Sequence, residues 1–267
     1  MKSFDLISDL HLDKWISPRD YPVSVLNELT RDHIRSLLPA SPSKVLVIAG
    51  DLGHFNGQNR VALETLKEVY EYILLVRGNH DLYLVREVRD DFSTSLDRWK
   101  HMKESVSHLE NVYFLEGDTV FIDNVTFGGI GMWYDMQYGV QVGNHPKEFV
   151  EFYWRLRMND NRYIKGLPSF EEEYAKLEDI LFDLDVVITH VGPDWTHVRY
   201  EYYSDKDLNS FYFFDGQTLV ERARGKIWCY GHIHEPNGYT YKGCRLINNA
   251  LGYPRNALNT KIKTVFL

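Results

Sequence analysis

The feature that constrains this chain most is a repeated junction, in which an apolar run stops abruptly on glycine, acid or histidine. Phe4 to Ser8 runs into Asp9-Leu10-His11, and Lys44 to Ala49 (K-V-L-V-I-A) into Gly50-Asp51. Tyr72 to Val76 leads to Gly78-Asn79-His80-Asp81, Asp185 to Thr189 to His190, and Lys226 to Tyr230 to Gly231-His232-Ile233-His234. Runs this short and rich in Val and Ile predict central strands covered on both faces. Between the first of them lie helical spacings, over Val25 to Leu38 with its stop at Pro39 and over Arg60 to Tyr70. Strand, helix, strand in this order predicts βαβ units and a largely parallel sheet. Ligands bind such sheets at the carboxyl ends of the strands, where every one of these polar clusters falls. One convergent site is the simplest reading.

The remainder is less regular. Leu12 to Tyr21 reads as a surface loop, because Pro18 and Pro22 break any periodicity. Arg86 to His108 reads as a charged helix, and Val112 to Leu115, Thr119 to Ile122 and Val125 to Gly128 as three antiparallel strands. Phe170 to Leu181 is a further helix. Tyr239 to Tyr241, Cys244 to Ile247 and Ile262 to Phe266 read as edge strands. Two irregular, aromatic stretches, 131–170 and 191–215, are placed over the site. With no repeat, linker or low-complexity segment, 1–267 is read as a single domain.

The 267 residues carry a formal net charge of −8, which argues against a broad electrostatic footprint for nucleic acid without excluding a local basic groove. The two cysteines, Cys229 and Cys244, have no zinc-type spacing, and Cys229 in an apolar run reads as a buried, inert thiol. An early acid in M-K-S-F-D argues against a signal peptide, and no apolar run approaches membrane-spanning length. A cytoplasmic protein with no membrane partner is expected; its oligomeric state is unreadable.

Asp9, His11, Asp51, Asn79, His80, His190, His232 and His234 together offer imidazole, carboxylate and amide oxygen, the ligands of first-row divalent metals. They are too many for one tetrahedral zinc. Two ions fit better, with Asp51 as the bridge. In this order, D-x-H, G-D, G-N-H-D, H and G-H-x-H resemble the motifs of the calcineurin-like metallophosphoesterase superfamily, from Asp9 to His234. The resemblance implies a four-layer α/β/β/α sandwich with two mixed sheets. It implies one metal held by Asp9, His11, Asp51 and His234, and a second by Asp51, Asn79, His190 and His232, the pair being manganese, iron or zinc. It also implies His80 beside the substrate phosphate, with Asp81 orienting its ring. The activity implied is hydrolysis of a phosphomonoester or phosphodiester by a metal-bridging hydroxide, with His80, if protonated, able to donate to the leaving group. The G-D motif here continues Leu52-Gly53-His54-Phe55, without the acid and arginine of the phosphoprotein phosphatase branch, so a protein phosphatase of that branch is not expected. Trp133 and Met158-Asn159-Asp160 are similar to features of bacterial and phage phosphoesterases.

Simpler readings stand beside these. Asp9 and Asp51 could cap helices, and His190 could be a core histidine. His54, His145 and His197 read as solvated loop histidines, and Asn159 and Asp160 as holding the long loop. Arg77 could reach a substrate phosphate or pair with a carboxylate. Tyr200, Tyr202, Tyr203, Phe211, Tyr212, Phe213 and Phe214 could stack on a base, but read better as core or a dimer face. The competing functions are a metal-dependent nuclease, which the negative charge disfavours, and a non-catalytic interaction module on the same fold.

Overall fold

The structure, a computed structural model, describes residues 1–197, 206–256 and 260–267. The first sheet holds β1 (Ser3–Ile7), β2 (Val45–Ala49), β3 (Tyr72–Val76) and β4 (Val112–Phe114), with β11 (Lys263–Phe266) at its edge, in the order β11-β1-β2-β3-β4. The second holds β5 (Asp118–Ile122), β6 (Val125–Gly129), β7 (Val186–Ile188), β8 (Ile227–Tyr230), β9 (Asn237–Tyr241) and β10 (Cys244–Asn248), in the order β5-β6-β7-β8-β10-β9. Each is parallel in its interior and antiparallel at an edge. Two mixed sheets flanked by helices are thus the architecture.

Alternation along the strands explains why two sheets stack. In β2, Val45, Val47 and Ala49 join Phe4, Leu6, Leu74, Phe127, Ile188 and Cys229 in the layer between the sheets. Leu46 and Ile48 turn the other way, onto Ile34 and Leu37 of α2 (Val23–Leu37) and Leu63 and Leu66 of α3 (Asn56–Lys67). Edge-to-face contact of Phe4 and Phe127, with centroids 5.5 Å apart, joins the sheets across that layer.

Several expectations need correction. Leu12 to Tyr21 opens with a helical turn, α1 (Leu12–Trp15), anchored by the indole Nε1 of Trp15 donating to the Gly252 carbonyl. Only α4 (Ser95–Ser105) of the Arg86 to His108 stretch is helical, because a Thr94/Asp97 capping box starts it there. β4 is not antiparallel to β5: it runs parallel to β3 in the first sheet, and the turn 115–117 carries the chain to the second. β10 is interior, paired with β8 on one side and β9 on the other. The stretch 131–170 contains α5 (Gln137–Gln141), α6 (Lys147–Arg157) and α7 (Asp160–Tyr163), ahead of α8 (Phe170–Ile180). Phe211, Phe213 and Phe214 are buried core; Tyr200, Tyr202 and Tyr203 lie outside the described residues. Among the described residues no helix is long and apolar enough to cross a membrane.

Candidate metal centre

The strands deliver their polar residues by leaving the sheet through left-handed backbone. Asp9 (φ 52°), His11 (φ 41°), Asp51 (φ 60°) and His232 (φ 68°) all occupy this region, which costs a non-glycine residue about 1–3 kcal/mol. Such strain aims successive side chains at one point. Gly78 makes room for the convergence, since a Cβ there would stand 2.1 Å from Asp51 Oδ1. Gly50 has φ 87°, and its Cβ would lie 2.3 Å from Nδ1 of His190.

Asp9, Asp51 and Asn79 come from ends of the first sheet, and His190, His232 and His234 from ends of the second. His234 Nε2 lies 3.3 Å from Asp9 Oδ1 and 2.9 Å from His11 Nε2, which in turn lies 3.6 Å from Asp51 Oδ2. His190 Nε2 lies 3.4 Å from Asp51 Oδ2, 3.2 Å from Asn79 Oδ1 and 3.2 Å from His232 Nδ1. Among the described residues, three sets of ligand atoms each fall within 4.8 Å of one another: Asp9, His11 and His234; Asp9, Asp51 and His190; and His11, Asp51 and His80. The site is buried apart from His80 and His234, which are partly exposed.

The donor set fits divalent cations. His190 Nδ1 faces the Ala49 carbonyl at 2.8 Å, and His232 Nε2 the Phe211 carbonyl at 2.9 Å. A carbonyl can only accept, so each ring carries its proton outward. When both rings are neutral, two lone pairs face each other 3.2 Å apart, an arrangement that a cation between them turns from repulsive to favourable. Asn79 is oriented likewise: its Nδ2 donates to Tyr83 Oη and Asp160 Oδ1, which leaves the amide oxygen facing inward. A proton competes with a cation for the inner nitrogen of His190. Burial would lower the His190 imidazole, but the Asp51 carboxylate outweighs it and, with Asp9, pushes it up to about 10. Burial also opposes the charge on Asp51, yet His190 and His11 hold this carboxyl well below the usual range. Asp9 and Asp51 supply the negative charge at the floor of the site.

Some sequence-derived roles are moved by the structure. Asp81 does not touch the His80 ring; its carboxylate accepts from the backbone N–H groups of Asp51, Leu52 and Gly78, tying the β2 and β3 exits together. Burial and the Asp51 charge push Asp81 up to about 6, against those N–H groups and the nearby Arg98. The group on the His80 ring is His54, whose Nε2 lies 2.8 Å from His80 Nδ1 and whose own Nδ1 lies 3.0 Å from Asp13 Oδ2. His54 is therefore a buried member of the site's surround, not a solvated histidine. Burial, and then the charge of His54, lower the His80 imidazole well below its ordinary value. Arg77 pairs with Glu173 and with Glu116 Oε1 at 3.2 Å, so its guanidinium is committed to carboxylates and not to a phosphate. His145 and His197 are half-exposed or exposed beside Asp207 and Asp194.

Three neighbours escape sequence reasoning. Asp13, behind His54, is the first. Buried Arg98 of α4 donates to the carbonyls of Gly53 and His80, holding the two loops against each other. The hydroxyl of Tyr253 lies 3.4 Å from His80 Nε2, and its ring packs against His11 and His234. Asp160, expected to hold the long loop, does so by accepting from Tyr134 Oη at 2.7 Å, and it reaches the centre as well through Asn79.

Residues 2–236 match the family model described as calcineurin-like phosphoesterase. This chain belongs to the calcineurin-like phosphoesterase family. The family is metal-dependent, and this chain has clusters of candidate ligands where the strands converge. A UPF0046 protein of Caenorhabditis elegans is 25% identical over 212 residues, which cover 77% of this chain and 61% of that protein. The match thus spans about three-fifths of the curated relative's length. Among solved structures, the phosphopantetheinyl hydrolase (PptH) of Mycobacterium tuberculosis superimposes with a TM-score of 0.72 at 20% identity, covering 95% of this chain and 90% of that chain. The TT1561 protein of Thermus thermophilus gives 0.50 at 10% identity, over 99% and 98%. At these identities the likeness is one of fold.

Proposed function

We propose that the chain is a dinuclear metal-dependent phosphoesterase acting on a small phosphate monoester or diester. The observation that carries this reading is the His190–His232 pair, whose outer nitrogens are spent on backbone carbonyls while the inner ones face each other across Asp51 and Asn79. Asp9, His11, Asp51 and His234 would hold one cation, and Asp51, Asn79, His190 and His232 the other. Bound there, a pair of divalent cations supplies an activated water and offsets the charge of the phosphate oxygens. The chain's own residues do the rest. Asp51 Oδ1 accepts from the His80 backbone N–H at 2.8 Å, which seats the His80 loop directly over the centre. His80, half-exposed at its edge, is the group that a phosphate entering from solvent meets.

The ligand chemistry favours manganese, iron or zinc over magnesium or calcium. The fold shared with a phosphopantetheinyl hydrolase makes a phosphopantetheinyl ester one substrate to try. The test is a panel of phosphomonoesters and phosphodiesters, with single-stranded DNA at two salt concentrations, on chelator-treated protein reloaded with manganese, iron or zinc. Metal-dependent turnover of a small ester is expected. Full loading with two ions and no hydrolysis across the panel would favour an interaction module; turnover of DNA alone would favour a nuclease.

A further inference from the structure

The outer face of α6 is apolar and open to solvent. Val150 and Trp154, four residues apart, turn inward from this helix and are buried. At about 100° per residue, the opposite face carries Phe149, Phe152 and Leu156. They remain 41%, 60% and 56% exposed. Large apolar side chains spaced i, i+3, i+7 are the seam by which one helix packs on another. Phe149 is already held in place by flat stacking on Tyr153, with centroids 6.0 Å apart and planes 7° from parallel. The charges beside this seam are ordered. Glu148 stands a turn before Phe152 and Arg155 a turn after it, both at the surface. Seven residues apart, they lie on the same flank. Glu151 is engaged by Lys147 at 3.9 Å and by Arg155 at 3.7 Å, whereas the Glu148 carboxylate has no ion pair among the described residues.

We propose that this face joins a second copy of the chain, α6 packing antiparallel on α6 about a two-fold axis beside Phe152. Such an axis reverses the helix while keeping each flank on its own side. Phe152 then meets its counterpart, Phe149 meets Leu156, and Glu148 of each copy comes opposite Arg155 of the other. The order of charge makes the patch complementary to itself. A parallel pairing would set Glu148 beside Tyr153 and leave the charges unmatched. An anionic bilayer is a poorer match, since Glu148 and Glu151 lie among the basic residues of the helix. One short seam buries little surface, so the dimer is weak, with a Kd of about 1–100 μM. Trp154 on the inner face donates to Tyr134 Oη, and Tyr134 reaches Asn79 through Asp160, so the interface braces the candidate metal centre from behind.

The contact is independent of what the site hydrolyses. Its test is sedimentation velocity on the zinc-loaded chain between about 1 and 300 μM, a range that brackets a weak dimer. A dimer that grows with concentration is expected. Phe152→Glu, at an exposed position that should leave the circular dichroism spectrum as it was, is expected to weaken association at least about 100-fold, to a monomer throughout. Glu148→Arg is expected to weaken it about 2–20-fold, and Glu148→Arg combined with Arg155→Glu to return it to within about twofold of wild type. That rescue separates antiparallel self-pairing from nonspecific stickiness. A wild-type monomer at the highest concentration overturns the proposal. So does a dimer that Phe152→Glu leaves intact, or one that the double exchange fails to restore. Flotation with phosphatidylserine vesicles runs alongside: binding that Phe152→Glu abolishes, with no dimer in solution, assigns the face to a membrane and overturns the proposal too.

Discussion

Replacing Asp160 by asparagine tests how the centre is held from behind. Its Oδ1 accepts from Asn79 Nδ2 at 2.9 Å and from Tyr83 Oη at 2.6 Å, and its Oδ2 from Tyr134 Oη at 2.7 Å. Burial, and then the Asp160 charge, hold both tyrosines well above their usual range, so all three partners keep their protons and donate. An asparagine amide has one oxygen for the two donors on one side and a donating NH2 for the other. One hydrogen bond to a charged group is lost outright and two are weakened, which at about 1.5–3 kcal/mol for the first gives about 2–4 kcal/mol in all. At about 2–4 °C per kcal/mol, Tm should fall by about 4–16 °C. Asn79, released from its orienting partner, can then turn its NH2 inward, and zinc affinity should drop about 10–100-fold. Thermal denaturation of chelator-treated protein and competition of zinc with a chromogenic chelator read the two effects separately. A lowered Tm with zinc affinity unchanged would refute the claim that Asp160 orients a ligand and leave it a loop staple. No change in either would refute the network altogether.

Gly78→Ala places a methyl 2.1 Å from Asp51 Oδ1 and 2.7 Å from its backbone nitrogen, so the shared carboxylate must move; stability should fall by about 1–3 kcal/mol in urea titrations and metal content by at least half in elemental analysis. His80→Ala should lower kcat about 10²–10⁴-fold with metal content nearly intact, and loss of metal would instead make His80 a ligand, as its nearness to His11 and Asp51 allows. Burial would raise Asp13, but the hydrogen bond and charge of His54, with Lys14, hold it well below 3.8, so its stabilisation is complete above that value and disappears as pH falls through the lower, folded-state value. Urea unfolding of chelator-treated protein should therefore show Asp13→Asn clearly weaker than wild type at pH 6.5, with the gap narrowing below pH of about 3.5. A gap that widens on acidification would reverse the assignment of charge.

The sheets and the convergence of their ends were legible because each motif residue follows directly on an apolar run, so the strand itself tells where the side chain goes. Asp9, Asp51, Asn79, His190 and His232 could be placed together for that reason. The partners behind them were not legible, because nothing local marks them. His54 meets Asp13 and His80 across 41 and 26 residues of chain, and a histidine in a loop looks the same whether solvated or buried. Arg98 lies in a charged helix whose lysines stay at the surface, Lys100 exposed and Lys103 paired with Glu116, and only its burial against the Gly53 and His80 carbonyls separates it from them. Arg77 failed differently: adjacency to the G-N-H-D motif suggested a phosphate, while its side chain, just past the end of β3, turns to Glu116 and Glu173. β4 was misassigned because a turn at Glu116-Gly117-Asp118 serves equally for a hairpin and for a crossing between sheets.

The backbone N–H of His232 donates to both oxygens of Asp9, 3.1 Å from each, across 223 residues of sequence. A nascent polypeptide therefore cannot assemble either half of the pocket early: until residue 234 has left the ribosome, the acids of the amino-terminal half stand without the imidazoles that complete them. Ion capture would then be among the last events of maturation, and a captured ion would rivet the two layers together. Protease resistance of the folded chain should depend on loading for the same reason.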